Sequence, residues 1–127
     1  MSKRVFLLTV LLVALTALTL APVASSKDGD VRVAGNCSRA SSAKLKLSPE
    51  DGRIEVEFEV DQNRVGVRWR VVLKHAARAF ARTTAVTKAP SGSFELRRLA
   101  RNRPGTDVVS ARATSPSGEV CRATARI

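Results

Sequence analysis

From Arg53 to Leu73 the chain alternates apolar and polar residues so regularly that an extended, half-buried backbone is the natural fit. In the first run Ile54, Val56, Phe58 and Val60 fall on one face, with Glu55, Glu57 and Glu59 on the other. In the second run Val65, Val67, Trp69, Val71 and Leu73 share a face, opposite Gly66, Arg68, Arg70 and Val72. The short polar link Asp61 to Arg64 predicts an antiparallel hairpin. A turn centred between Gln62 and Asn63 sets Val60 opposite Val65, Phe58 opposite Val67 and Val56 opposite Trp69. The same register sets Glu57 opposite Arg68 and Glu55 opposite Arg70, so both faces are complementary. A cation site or paired catalytic carboxylates on Glu55, Glu57, Glu59 and Asp61 is the alternative. Hard cations draw their ligands mostly from loops, however, so a solvated acidic face neutralised by a neighbouring strand is expected.

Turn signals divide the rest of the chain into further short strands. Val31 to Val33 reads as a first strand and Ser38 to Ser42 as a loop. Ala43 to Leu47 alternates with Leu45 and Leu47 inward, and Ser48 to Gly52 reads as a turn. His75 to Arg82 is rich in alanine and could be helical by propensity. The β-branched run Thr83 to Thr87 favours instead a turn at His75 to Arg78 and a strand over Ala79 to Thr87. Ala89 to Ser93 is another turn and Phe94 to Leu96 a short strand. Arg97 to Pro104 reads as a loop holding Arg97, Arg98, Arg101 and Arg103. Asp107 to Thr114 and Glu119 to Ile127 form a last hairpin around the three-residue loop Pro116 to Gly118. Its register sets Ala113 beside Cys121 and Ala111 beside Ala123 on the inner face, with Arg112 beside Arg122 on the outer.

Residues 1–26 read as a signal peptide of the general secretory type. Lys3 and Arg4 precede the apolar run Val5 to Leu20, and small residues follow at Ala21 to Ser26. The run is short for a membrane anchor, so no span is expected once it is removed. Residues 27–127 then form a single domain, enough for one sandwich core. Its two cysteines, Cys37 and Cys121, predict one disulfide in an oxidising compartment. Loss of Lys3 and Arg4 lowers the net charge from +11 to +9. The remainder is uneven. Lys27 to Gln62 carries six basic and eight acidic residues, whereas Asn63 to Ile127 carries fourteen basic and three acidic.

Seven to eight short strands over such a length read as an all-β, immunoglobulin-like antiparallel sandwich, and the order Cys37, Trp69, Cys121 is reminiscent of that class. Cys37 lies a strand too early for the usual bridge between sheets, so the disulfide is expected to join terminal strands. More closely, the chain resembles small secreted actinobacterial proteins of unassigned function. The resemblance spans nearly all of residues 27–127. It rests on Gly35 to Cys37, Lys44 to Leu47, Ile54 to Asp61, Trp69, Ala89 to Phe94, Ala111 to Ala113 and Gly118 to Cys121. Such proteins carry Asn-Gly in the turn after the Trp strand, where this chain has Ala76 and Ala77. The resemblance implies a fold and a secreted, bacterial address, but no activity.

No motif points to an enzyme. His75 is the single histidine, expected to face solvent, and nothing in the sequence orients an acid or a nucleophile beside it. Metal-ligand clusters, phosphate-binding glycine motifs and nucleophile elbows are missing from the sequence, so no metal or cofactor is expected. Trp69 shares the parity of the core. The opposed pair Arg112 and Arg122, with Arg126 further along that face, is different in kind. Like charges directly opposite one another destabilise a sheet, so the chain either tolerates a small cost, its arginines shedding charge into water and stacking, or has an anionic partner there. Arg97, Arg98, Arg101, Arg103, Arg112, Arg122 and Arg126 are therefore the candidate anion-binding residues. The partner expected is an anionic cell-envelope polymer or an acidic protein. Sequence-specific nucleic-acid recognition is not expected, because exposed aromatics for stacking are scarce. Two alternatives remain open: an interaction or inhibitor module presenting Pro90 to Ser93 or Arg97 to Pro104, and a small-molecule carrier with a cleft beside the inward alanines of the last hairpin.

Overall fold

A computed structural model describes residues 29–127; the predicted signal peptide lies outside the described residues. These residues form nine strands and no helix: β1 (Val31–Ala34), β2 (Asn36–Cys37), β3 (Ser42–Glu50), β4 (Arg53–Asp61), β5 (Arg68–His75), β6 (Arg78–Val86), β7 (Ser93–Arg101), β8 (Val108–Thr114) and β9 (Val120–Arg126). They build a sandwich of two antiparallel sheets. The first has the order β1-β3-β4-β7 and the second the order β2-β9-β8-β5-β6.

The predicted β4–β5 hairpin does not form. β4 pairs with β3 on one side and β7 on the other, while β5 lies in the opposite sheet between β6 and β8. The chain crosses between sheets over residues 62–67, leaving Val65 exposed. The true partner of β4 is reached through a two-residue turn, Asp51 and Gly52, both at positive φ, so β3 runs on through the predicted turn residues Ser48, Pro49 and Glu50. Pro49 is accommodated because β1 reaches only as far as Leu47, and nothing on that side needs its missing N–H.

The inward parity is nevertheless that of the sequence. Ile54, Val56, Phe58 and Val60 from one sheet and Trp69, Val71 and Leu73 from the other are all at most 1% exposed. Trp69 rests near Phe94, which also packs edge-on to Phe58, and its indole N–H donates to Gln62 Oε1 at 3.0 Å. The small residues Ala111, Ala113, Ala123 and Ala125 belong to the same core. Burying large side chains of this kind contributes about 1.5–3 kcal/mol each.

The last hairpin has the predicted register, with Ala113 opposite Cys121, Ala111 opposite Ala123 and Arg112 opposite Arg122. Cys37 and Cys121 are directly opposed on β2 and β9 and form the disulfide within one sheet. Buried Glu119 clamps the loop after β2. Its Oε2 accepts from the backbone N–H of Arg39 (3.1 Å) and Ser41 (3.0 Å), and its Oε1 accepts from Ser41 Oγ (2.6 Å).

At the crossover end the loops interlock. Gln62 N donates to Gly92 O, and a Cβ at Gly92 would stand 2.2 Å from Arg64 N. Gly92 is therefore required by a close backbone approach as well as by its positive φ.

Candidate functional site

The seven predicted arginines do not share one surface. Arg97, Arg98 and Arg101 lie on β7, which runs unbroken to Arg101 where a loop was expected, because its residues pair along the whole of β4. Arg103 alone of that group lies in the following loop. Arg112 is on β8, and Arg122 and Arg126 are on β9, in the opposite sheet.

Arg97 is committed to neighbours. It meets Glu95 through Nε (2.7 Å), Glu57 through Nη2 (3.1 Å) and Glu55 through Nη1 (3.7 Å). The Glu95 hydrogen bond first, then Glu57, holds its guanidinium even further above the ordinary arginine value. Lys46 reaches Glu57 from β3 at 3.6 Å and Asp30 at 3.5 Å. Glu55 and Glu57 of β4 are thus neutralised by sheet neighbours, as expected in kind, but by Lys46 and Arg97 rather than Arg68 and Arg70.

Arg68 and Arg70 are thereby left on the other sheet, and charge segregates between the two. The strands of the first sheet carry seven basic residues against six acidic ones. The strands of the second carry Arg68, Arg70, Lys74, Arg78, Arg82, Arg112, Arg122 and Arg126 and no Asp or Glu. Two buried acids lie in loops beside the second sheet. Asp107 is engaged with His75, and Glu119 with the loop after β2. Among the described residues, Arg68, Arg70, Arg82, Arg112, Arg122 and Arg126 form no ion pair.

Pairing fixes where these cations stand. One row across the outer face runs Arg82, Val72, Arg112, Arg122 over β6, β5, β8 and β9. The row on one side holds Thr84, Arg70 and Thr114; the row on the other holds Lys74, Ser110 and Thr124. A shallow groove of about 530 Å³ lies between the first two rows, lined by Arg70, Arg82, Thr84, Arg112 and Thr114. A second, of about 360 Å³, lies on the other side, lined by Lys74, Arg82, Ser110, Arg112, Arg122 and Thr124. Neighbouring strands are ~4.8 Å apart and alternate residues along a strand ~6.7 Å apart, so Arg82 to Arg122 spans ~14 Å. The arrangement is a flat field of guanidinium forks interleaved with hydroxyls, suited to many weak contacts with phosphate or carboxylate oxygens. Of the described aromatics, Phe58, Trp69 and Phe94 are buried and Phe80 packs beside His75, so stacking on this field has no platform.

His75 is not solvent-facing. It continues the inward parity of Trp69, Val71 and Leu73, is 5% exposed, and its Nε2 lies 2.7 Å from Asp107 Oδ1. Extending that alternation by one step would have found it. The turn that follows has the expected place and an unexpected cost: Ala76 and Ala77 adopt φ of +48° and +65°. These are the left-handed values that Asn-Gly adopts readily.

Glu119 comes within 4.8 Å of the sulfurs of Cys37 and Cys121. The sulfurs are bonded to each other and the carboxylate is taken up by the loop donors, so the group acts as a structural clamp. No known protein family, curated protein or solved structure matches the chain.

Proposed function

We propose that the protein is a secreted, bacterial, non-enzymatic binding module whose second sheet holds an anionic polymer of the cell envelope. The observation that carries this reading is the unneutralised outer face of that sheet, with Arg112 directly opposite Arg122. Like charges held in register cost stability, and an anion lying across them recovers it. The reading transfers the weight from Arg97, Arg98, Arg101 and Arg103 to Arg112, Arg122 and Arg126, joined by Arg68, Arg70, Lys74 and Arg82. Recognition is by guanidinium contacts to successive phosphate or carboxylate groups; the rows repeat every ~6.7 Å along the strands.

We read the sandwich as immunoglobulin-like in its second sheet. The order β2-β9-β8-β5-β6 corresponds to a variable-type sheet in which the last two strands lie beside the strand bearing the Trp. The first sheet departs from that class, since β4 forms a hairpin with β3 and sits between it and β7.

The test is retention of the protein on long-chain polyphosphate and on isolated envelope, across salt concentrations. If about six phosphates are contacted, log affinity falls with log salt at a slope of about −4. The R112E/R122E double variant, both side chains being exposed, should keep its fold and lose most retention. Salt-independent retention, or retention unchanged in the double variant, overturns the reading.

The second reading, a loop-presenting interaction module, draws support from the interlocked loops at the crossover end. Thr87 Oγ1 donates to Arg64 O and accepts from Val67 N, holding exposed Val65 on a stiff platform beside Pro90 to Ser93. Contacts made there would resist salt. The inward alanines are filled members of the core, which favours close sheet packing over a carrier's cleft.

A further inference from the structure

At the end of the sandwich away from the interlocked loops, β5 turns into β6 and the chain leaving β7 passes nearby. A cavity of about 400 Å³ opens there, lined by His75, Arg78, Ala79, Phe80, Leu99, Ala100, Arg101 and Arg103. Its cations come from three separate elements: Arg78 from β6, Arg101 from β7 and Arg103 from the following loop. Among the described residues, Arg78 and Arg101 form no ion pair.

The floor is a built feature rather than a chance surface. The His75 ring is fixed on both sides of its plane of movement. Asp107, itself 3% exposed, holds Nε2, and Phe80 stands edge-on at 6.5 Å. Asp107 is held in turn, its Oδ2 accepting from Arg103 N at 3.2 Å. The ring's other nitrogen, Nδ1, has no hydrogen-bond partner among the described residues. The ring lines the cavity. A cavity rimmed by arginines repels metal cations. It suits an oxyanion, to which the guanidinium groups donate while the imidazole stands beside it.

The strained turn is consistent with this use. Ala76 and Ala77 pay for left-handed conformations, and Ala76 N is pinned to Val108 O at 3.0 Å. That geometry holds His75 and Arg78 as a directly opposed pair, the buried ring at the cavity floor and exposed Arg78 at its rim. One wall is apolar: Ala79, Phe80, Ala100 and Leu99, the last 51% exposed on an edge strand.

We propose that this cavity is a second, discrete binding site for a compact oxyanion head group, of phosphate-monoester type, joined to an apolar body. The head lies among Arg78, Arg101 and the His75 ring, and the body lies along Phe80 and Leu99. The site is separate from the polymer-binding face and does not depend on it.

Because His75 is the only histidine in the sequence, its imidazole gives one ring signal to follow by NMR. Inorganic phosphate and octyl phosphate are titrated at constant ionic strength, with chloride as the balancing anion. The expected result is a saturable shift of the ring signal with both, octyl phosphate binding at least tenfold more tightly. Affinity for either should fall at least tenfold in R78A/R101A, whose side chains are exposed and whose loss leaves the core intact. R112E/R122E should leave both titrations unchanged, which separates this site from the sheet face. No saturable shift with either probe overturns the proposal. So does equal affinity for the two probes, or a shift that persists in R78A/R101A.

Discussion

Replacing the Ala76–Ala77 turn by Asn-Gly should stabilise the protein, although it touches no core residue. Both alanines sit at positive φ, +48° and +65°. A left-handed L-residue costs about 1–2 kcal/mol, because Cβ approaches the following carbonyl oxygen. Glycine removes that cost at position 77 but loses about 0.4–1 kcal/mol through the greater freedom of the unfolded chain. The net gain for A77G is therefore about 0.5–1 kcal/mol. Asparagine tolerates the left-handed region better than alanine, so the A76N/A77G pair should gain about 1–2 kcal/mol in all. For a domain of this size, 1 kcal/mol corresponds to about 4–8 °C in Tm. Calorimetry and urea unfolding with an unchanged slope would measure it. Ala85→Gly, in the ordinary strand geometry of β6, is the control and should cost about 0.5–1 kcal/mol. If A77G destabilises as much as the control, the turn does not hold alanine in the left-handed region and the reasoning fails.

Other substitutions probe other parts of the account. R122T removes a like charge directly opposite Arg112 and should raise stability by about 0.2–1 kcal/mol at low salt, the gain shrinking as salt is added. A gain that does not depend on salt would deny the repulsion. Glu119→Ala strands the backbone donors of Arg39 and Ser41 and should cost about 2–4 kcal/mol by chemical denaturation. Glu119→Gln, which keeps one acceptor oxygen, should cost less; equal costs would show that the clamp is not what the carboxylate supplies. The C37S/C121S variant opens a loop with a sequence separation of 84 and should lose about 4–5 kcal/mol on the loop-entropy model, with the same strand pairing.

The alternation between Arg53 and Leu73 identified every inward residue of β4 and all of those of β5 except His75, and still named the wrong neighbour. Alternation reports which face of a strand is buried, and the inner faces of a sandwich look alike whether two strands lie side by side or face one another. Charge matching deepened the error, because Lys46 and Arg97 complement Glu57 as well as Arg68 does. The last hairpin was legible because Pro116 to Gly118 defines a loop length, and loop length fixes register. The run Arg97 to Arg101 looked like a loop because its apolar residues, Leu99 and Ala100, are adjacent and break the alternation. It is a strand because it pairs residue for residue with β4, although Arg98 takes an inward-parity position opposite Val56 and Leu99 faces outward. His75 and Asp107 stand 32 positions apart, and their meeting depends on β5 lying beside β8, a pairing no local pattern announced. The same pairing gathers Arg70, Arg82, Arg112 and Arg122, so the basic field was visible only as a count of charges.

The central claim is that charge segregation makes the second sheet the anion-binding face. Backbone amide shifts, mapped by NMR as long-chain polyphosphate is added at low salt, test it most directly. The account predicts shifts along β5, β6, β8 and β9, centred on Arg70, Arg82, Arg112 and Arg122, that vanish at high salt and leave β3 and β4 unmoved. Shifts centred on Arg97, Arg98 and Arg101 of β7, or none on the second sheet, would contradict it.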